Sequence, residues 1–250
     1  MTGSVDPRPS GRRLAAAVLA AVVGAGIAGV ATASVAGRLA PQWSSDVDRL
    51  APVVIAAVYS AAAAVVLLVL GRTRAPRRGQ LAVRSVDLRD VGLGVLVWGG
   101  AYLGAAALYA VLGRLGGPTA SEAAAVLMSV GADNGRLGAA SPTLTAVILL
   151  RVLVLSPLVE ELVFRGALFT WLRTRLSAGW TVLLTGVGFG LVHGSPTFVP
   201  LAVVVGLAAG WVRERTGSVL ATVAVHALQS AVVVGASFAI TGWDAPALLG

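Results

Sequence analysis

Apolar residues in this chain fall into long unbroken runs, not into alternation. The first run covers about 14–36 and opens directly after Arg12 and Arg13. A short loop with Trp43, Asp46, Asp48 and Arg49 separates it from a second run at about 51–70. The densest basic loop follows, carrying Arg72, Arg74, Arg77, Arg78, Arg84 and Arg89, and then a third run at about 91–112. A Gly-, Pro- and Ser-rich connection leads to Pro142, and its middle, about 121–132, reads as a short interfacial helix. A long helical stretch is predicted over about 143–176, and a last span over about 219–241. Between them the apolar segments 180–195 and 197–212 predict a hairpin turning at Gly194-Ser195-Pro196.

About 20 apolar residues suffice to cross the hydrocarbon of a bilayer as a helix. Only helices and closed barrels satisfy their backbone groups there, and a barrel would show short alternating segments. The expected fold is therefore all-α, a polytopic transmembrane helical bundle of about seven spans. Its parts are a cytoplasmic tail over 1–13, N-terminal transmembrane helices and loops over 14–142, a core over 143–241 and a C-terminal tail over 242–250.

Composition agrees: 57% of residues are hydrophobic and 12% charged, about half the charged fraction of a soluble domain. All 19 basic side chains are Arg, the mark of a GC-rich bacterial genome. The net charge of +8 fits Arg gathered in cytoplasmic loops beside anionic headgroups, with no nucleic-acid partner. There is no cysteine, which excludes disulfides and thiolate chemistry. The first apolar run is too long for the core of a signal peptide, so it reads as an uncleaved helix. The tail, the 71–90 loop, 173–175 and 213–215 are basic, whereas 37–50 and 113–142 are nearly balanced. This predicts a multi-pass protein of the plasma (inner) membrane with a cytoplasmic N-terminus. Trp171, Trp180, Trp211 and Trp243 fall near span ends, as an interfacial belt would. Gly186, Gly188, Gly190, Gly206 and Gly210 suit close helix packing.

Ionisable residues inside spans are costly and mark function; here they are Arg151, Glu160, Glu161, Arg165, His193 and His226. The two histidines are the only ones in the chain. Glu161 and Arg165, four apart, share a helix face and are expected to form a buried ion pair. Glu160 lies about 100° round the helix and is left to face His193 and His226. Such a trio has two uses. It can ligate a divalent metal such as Zn2+ through Glu160, His193 and His226. Alternatively, Glu160 and one histidine activate water directly while the other steadies an oxyanion. Either points to hydrolysis of an acyl bond, most simply a peptide.

Three segments carry a resemblance. Glu160-Glu161-Leu162-Val163-Phe164-Arg165 fits E-E-x-x-x-R, Phe189-Gly190-Leu191-Val192-His193 fits F-x-x-x-H, and His226 to Ser230 fits the start of H-x-x-x-N/D. Together they resemble the CPBP family of intramembrane proteases, the type II CAAX prenyl endopeptidases and their bacterial relatives, the Abi proteins. The resemblance covers about 143–235. It implies that Glu160 activates water with help from His193. It also implies that His226 and the residue four positions on, here Ser230, stabilise the oxyanion, with Glu161 and Arg165 in support. Ser230 departs from the Asn or Asp of the family, and Gln229 reads as pointing from another helix face.

The expected activity is an intramembrane endopeptidase, of a family often labelled metalloprotease, acting on a membrane-associated or lipid-anchored peptide. The alternative is a catalytically impaired scaffold or peptide-toxin immunity protein of the same family. A proton-coupled transporter fits less well, because no inverted repeat is present. Depth adds one further expectation. Helices of about 16 residues reach only about 24 Å, so the 180–212 hairpin should turn inside the bilayer, covered by its neighbours, and carry His193 towards Glu160.

Overall fold

The computed structural model describes residues 53–62, 87–128 and 142–241, with Ala64 and separate helical positions between 28 and 38. The two tails, the 37–50 loop and most of the 71–90 loop lie outside the described residues, and the spans 14–36 and 51–70 lie inside them only in part.

Helix α1 runs Leu88–Arg114 and begins where Asp87 caps it, its carboxylate accepting from Arg89 N at 3.0 Å. A short helix over 120–128 follows. Thr119 and Glu122 form its capping box: Glu122 accepts from Thr119 N (2.7 Å) while Thr119 Oγ1 accepts from Glu122 N (3.3 Å). The bond from Thr119 N, joined by one that Thr119 Oγ1 donates to the same carboxylate at 2.9 Å, holds the Glu122 carboxyl below the usual carboxylate range.

The long stretch expected over 143–176 is helical but broken. It consists of α2 (Pro142–Leu150), a π-helical segment π1 (Arg151–Leu155), α3 (Ser156–Glu161), a second π segment π2 (Leu162–Leu168) and α4 (Phe169–Arg173). Pro157 explains the first break. Its ring crowds the carbonyl four residues back, and the Ser156 N–H reaches back five residues to Arg151 O instead. Then come α5 (Ala178–Leu191), α6 (Val199–Thr216) and α7 (Val219–Thr241).

Among the described residues there are helices and no strands. Helices α1 and α7 are long and apolar enough to cross a bilayer. The other crossings of a seven-span bundle would rest on segments that are shorter, interrupted or outside the described residues. The outward faces are apolar: Leu96 and Leu103 on α1, Leu183 and Leu184 on α5, and Leu228 and Val232 on α7 are all exposed. Their inward neighbours Trp98, Ala105 and Tyr109 on α1 pack with Leu201, Val205 and Ala209 of α6 and Val225 of α7. Exposed apolar faces of this kind mark surfaces that meet a membrane or another protein.

The expected hairpin is α5 and α6, joined so closely that side chains between them are excluded. A Cβ on Gly206 would lie 2.7 Å from the Gly186 carbonyl oxygen, and one on Gly186 would lie 2.8 Å from Leu207 N. At the open end, Arg173 pairs with Glu214 at 2.9 Å, so the basic clusters 173–175 and 213–215 sit at one end of the bundle. At the other end Tyr109 donates to Thr197 O (2.6 Å) and accepts from Leu201 N (3.1 Å), which pins the start of α6 to α1.

The turn itself departs from expectation. His193, Gly194 and Pro196 are exposed, not covered by neighbouring helices. Gly194 takes φ 72°, and the backbone of 193–199 bonds within itself, for example Ser195 N to His193 O and Val199 N to Ser195 O. A turn that satisfies its own polar groups needs no cover. We expect Gly206→Ala to cost about 1–3 kcal/mol, the range of core overpacking, and to lower the melting temperature in detergent. Gly100→Ala, where a Cβ meets nothing within 4 Å, should leave it unchanged.

Candidate active site

Pro157 and the flanking π segments deliver Glu160 and Glu161 at the inner face of α3, with Ser156 one turn earlier. Ser156 Oγ donates to Glu160 Oε1 at 2.6 Å, fixing one oxygen of a carboxylate whose side chain is 21% exposed. Glu161 is wholly buried. Its Oε1 meets Arg165 Nη1 at 3.2 Å, and Arg165 is wholly buried as well. Arg165 also donates to Gly206 O at 2.9 Å and lies with its guanidinium carbon 4.4 Å from the Phe189 ring centroid. One cation thus gathers α3, α5 and α6 around a single carboxylate.

His226 arrives from α7 between the two glutamates. Its Nδ1 is 3.1 Å from Glu161 Oε1, and its Nε2 is 3.9 Å from Glu160 Oε2. A carboxylate only accepts, so Nδ1 carries the hydrogen and Nε2 is the edge turned to Glu160. The sequence reading had left His226 to Glu160; the structure makes Glu161 the nearer partner. Residues about 100° apart on a helix bracket a ring that enters between them.

His193 stands further off. Its Nδ1 donates to Phe189 O at 2.8 Å, and its ring packs 4.8 Å from that of Phe189 and 5.4 Å from that of Phe198. Phe189 also meets the His226 ring edge-on at 6.1 Å, so one aromatic side chain separates the two imidazoles. Ser230 follows His226 by one turn on α7, and its hydroxyl has no hydrogen-bond partner among the described residues.

Three contributors escaped the sequence reading. Ser156 could have been found, because it precedes Glu160 by four residues on one helix face. Trp98 of α1 could not. Its ring lies 6.2 Å from that of His226, and its indole N–H donates to Gln229 Oε1 across 131 residues of sequence. Gln229 therefore faces Trp98, the residue whose ring lies beside that of His226. Three residues on a helix bring side chains back to nearly the same face. Trp98 and Gln229 also line a cavity of about 410 Å³ between α1 and α7, whose other walls include Val95, Leu127, Val225 and Val232.

The residues from 142 to 232 match the family model described as type II CAAX prenyl endopeptidase Rce1-like. Over this segment the chain is similar to the CAAX proteases. Neither the curated proteins nor the solved structures contain a match to the chain. The matched segment holds every site residue except Trp98, which α1 supplies from outside it. A catalytic Zn2+ needs about three protein ligands. Among the described residues no three His, Asp or Glu side chains are grouped to hold one ion. Glu160, His193 and His226 therefore do not fit as a ligand set, and no step is derived through a metal.

The buried pair yields a stability prediction. Removing one partner strands the other charge without water, at about 3–5 kcal/mol. Glu161→Gln and Arg165→Met should therefore each depress the melting temperature and yield in detergent sharply, and the double variant should lose less than the sum. Glu160→Gln, at a partly exposed carboxylate, should melt close to wild type.

Proposed function

We propose that this protein is an intramembrane endopeptidase in which Glu160 and His226 position and activate the attacking water. The observation that carries this reading is the 3.9 Å gap between Glu160 Oε2 and His226 Nε2. Two atoms at that separation are too far apart for a direct hydrogen bond. They are close enough for one water, seated to the side at about 2.8 Å from each, to donate to both. Ser156 holds the far oxygen of Glu160 and Glu161 holds the far nitrogen of His226, so both acceptors are aimed before substrate arrives.

Glu160 takes a proton from the water as its oxygen bonds to the scissile carbonyl carbon, and the carbonyl electrons move onto oxygen. Collapse of that oxyanion breaks the C–N bond, and Glu160 returns the proton to the leaving nitrogen. Water is consumed and a carboxylic acid and an amine are released. Proton transfer of this kind contributes about 10²–10⁴-fold. His193 contributes Nε2, the nitrogen that its bond to Phe189 leaves free, from the exposed side of Phe189.

The CAAX-protease match and the lipid-facing surface support a membrane-associated substrate, either a membrane protein or a lipidated peptide, that enters laterally. The end bearing Arg173, Arg175, Arg213 and Arg215 is read as the cytoplasmic end of a plasma (inner) membrane protein, with Arg175 and Arg215 stacked on Trp171 and Trp211 at the interface. Counted with the apolar runs at 14–36 and 51–70, this reading gives seven crossings with the N-terminus in.

The test compares membrane proteomes of cells carrying wild type, Glu160→Ala or His226→Ala. Uncut membrane-protein termini should accumulate in both variants, and on the substrate so identified Glu160→Gln should lower kcat by about 10²–10⁴-fold. Identical proteomes would overturn the protease reading in favour of a non-catalytic scaffold or immunity protein.

A further inference from the structure

The site as described is short of a donor. A peptide carbonyl turning into an oxyanion needs N–H or O–H groups aimed at it in advance. His226 directs its Nδ1–H at Glu161 and its Nε2 at Glu160. Arg165 is sealed between Glu161, Gly206 O and Phe189, with no exposed surface. The Ser230 hydroxyl, at the position where the resemblance expects Asn or Asp, is a short side chain engaged with nothing among the described residues.

We propose that the Gln229 carboxamide, oriented by Trp98, supplies the missing hydrogen bond to the oxyanion. The inference rests on the protease reading of the same site. Its basis is the one-way chemistry of the indole. Trp Nε1–H can only donate, and a carboxamide has a single acceptor oxygen. Once Trp98 holds Gln229 Oε1, the amide plane is set and both of its N–H donors are turned away from the indole. Neither is spent on another described residue.

Trp98 is itself 5% exposed and packed in the core of α1, α6 and α7, so the anchor does not drift. Gln229 is one helical turn from His226, and its anchor lies against the His226 ring. Trp98 and Gln229 line the 410 Å³ cavity together with Tyr102, and most of its other walls are apolar. The cavity lies on the α1–α7 side of the site and shares with it the Trp98 ring, which stands 6.2 Å from that of His226. A fixed dipole in such a low-dielectric place needs no reorganisation when charge develops.

The experiment uses the full-length protein in its own membrane. Cells carrying wild type, Glu160→Ala, Gln229→Glu, Gln229→Met, Trp98→Phe or Ser230→Ala are compared for uncut membrane-protein termini. The substrate identified from Glu160→Ala is then used for kinetics in detergent. Gln229→Glu keeps an acceptor for Trp98 and loses both donors, whereas Gln229→Met keeps only the volume. Each should lose about 10²–10³-fold in kcat, the loss typical of one oxyanion donor, with KM unchanged and a wild-type melting temperature. Trp98→Phe, which frees the amide to rotate, should lose less than either, and Ser230→Ala less than Gln229→Glu.

Normal trimming by both Gln229 variants while Glu160→Ala blocks it would overturn the inference and leave the protease reading intact. A block by Ser230→Ala alone would do the same. Loss of kcat only alongside a lowered melting temperature would assign Gln229 to packing and also overturn it. Trimming that survives Glu160→Ala would remove the protease reading and this inference together.

Discussion

Everything around the site hangs on one buried ion pair. Glu161 and Arg165 share a face because they are four residues apart, and neither has any exposure to solvent or lipid. A charge pair in such a place gains little over an apolar one in net stability, but it tolerates almost no displacement, because an unpaired charge there is ruinous. Its value is positional. Arg165 has donors beyond those that Glu161 can accept, and it spends one on Gly206 O and its flat face on Phe189. Glu161 in turn holds His226. Four helical elements are therefore tied to one guanidinium and one carboxylate.

That constraint explains features that otherwise look unrelated. Gly206 has to lack a side chain, because its carbonyl accepts from Arg165 while its Cα runs against Gly186. The Phe189 ring is at once the surface under Arg165 and the edge partner of His226, and the backbone carbonyl of the same residue aligns His193. The π segments either side of α3 widen the helix where the two adjacent glutamates need different surroundings. Glu161 faces the packed interior, and Glu160 opens towards the gap beside His226. Adjacent residues on a helix already point about 100° apart, and π segments recur at functional sites.

The polar interior and the apolar exterior divide the labour. Trp98 and Gln229 share one directed hydrogen bond and Tyr109 makes two within apolar surroundings, and each bond joins elements far apart in sequence. The residues on the outside, such as Leu96, Leu103 and Val232, make no such demands and are free to face lipid. In hydrocarbon there is no water to satisfy a misplaced donor, so these few bonds decide which helices lie beside which.

The sequence alone determined the α-helical class, the placement of α1 and α7, the α5–α6 hairpin, and the Glu161–Arg165 pair. These follow from run length and from three- and four-residue spacings, which are local properties of a helix. Tertiary structure decided the rest. The breaks in the 142–173 helix are shifts of hydrogen-bond register, to which apolar periodicity is blind; only Pro157 hinted at one. That His226 lies between two glutamates and nearer Glu161, that His193 sits beyond Phe189 in an exposed turn, and that Trp98 reaches Gln229 from outside the matched domain are facts about helices meeting. A helix's sequence says which side chains share a face. Which neighbour that face meets is set by close packing and by the few buried polar groups that must find partners.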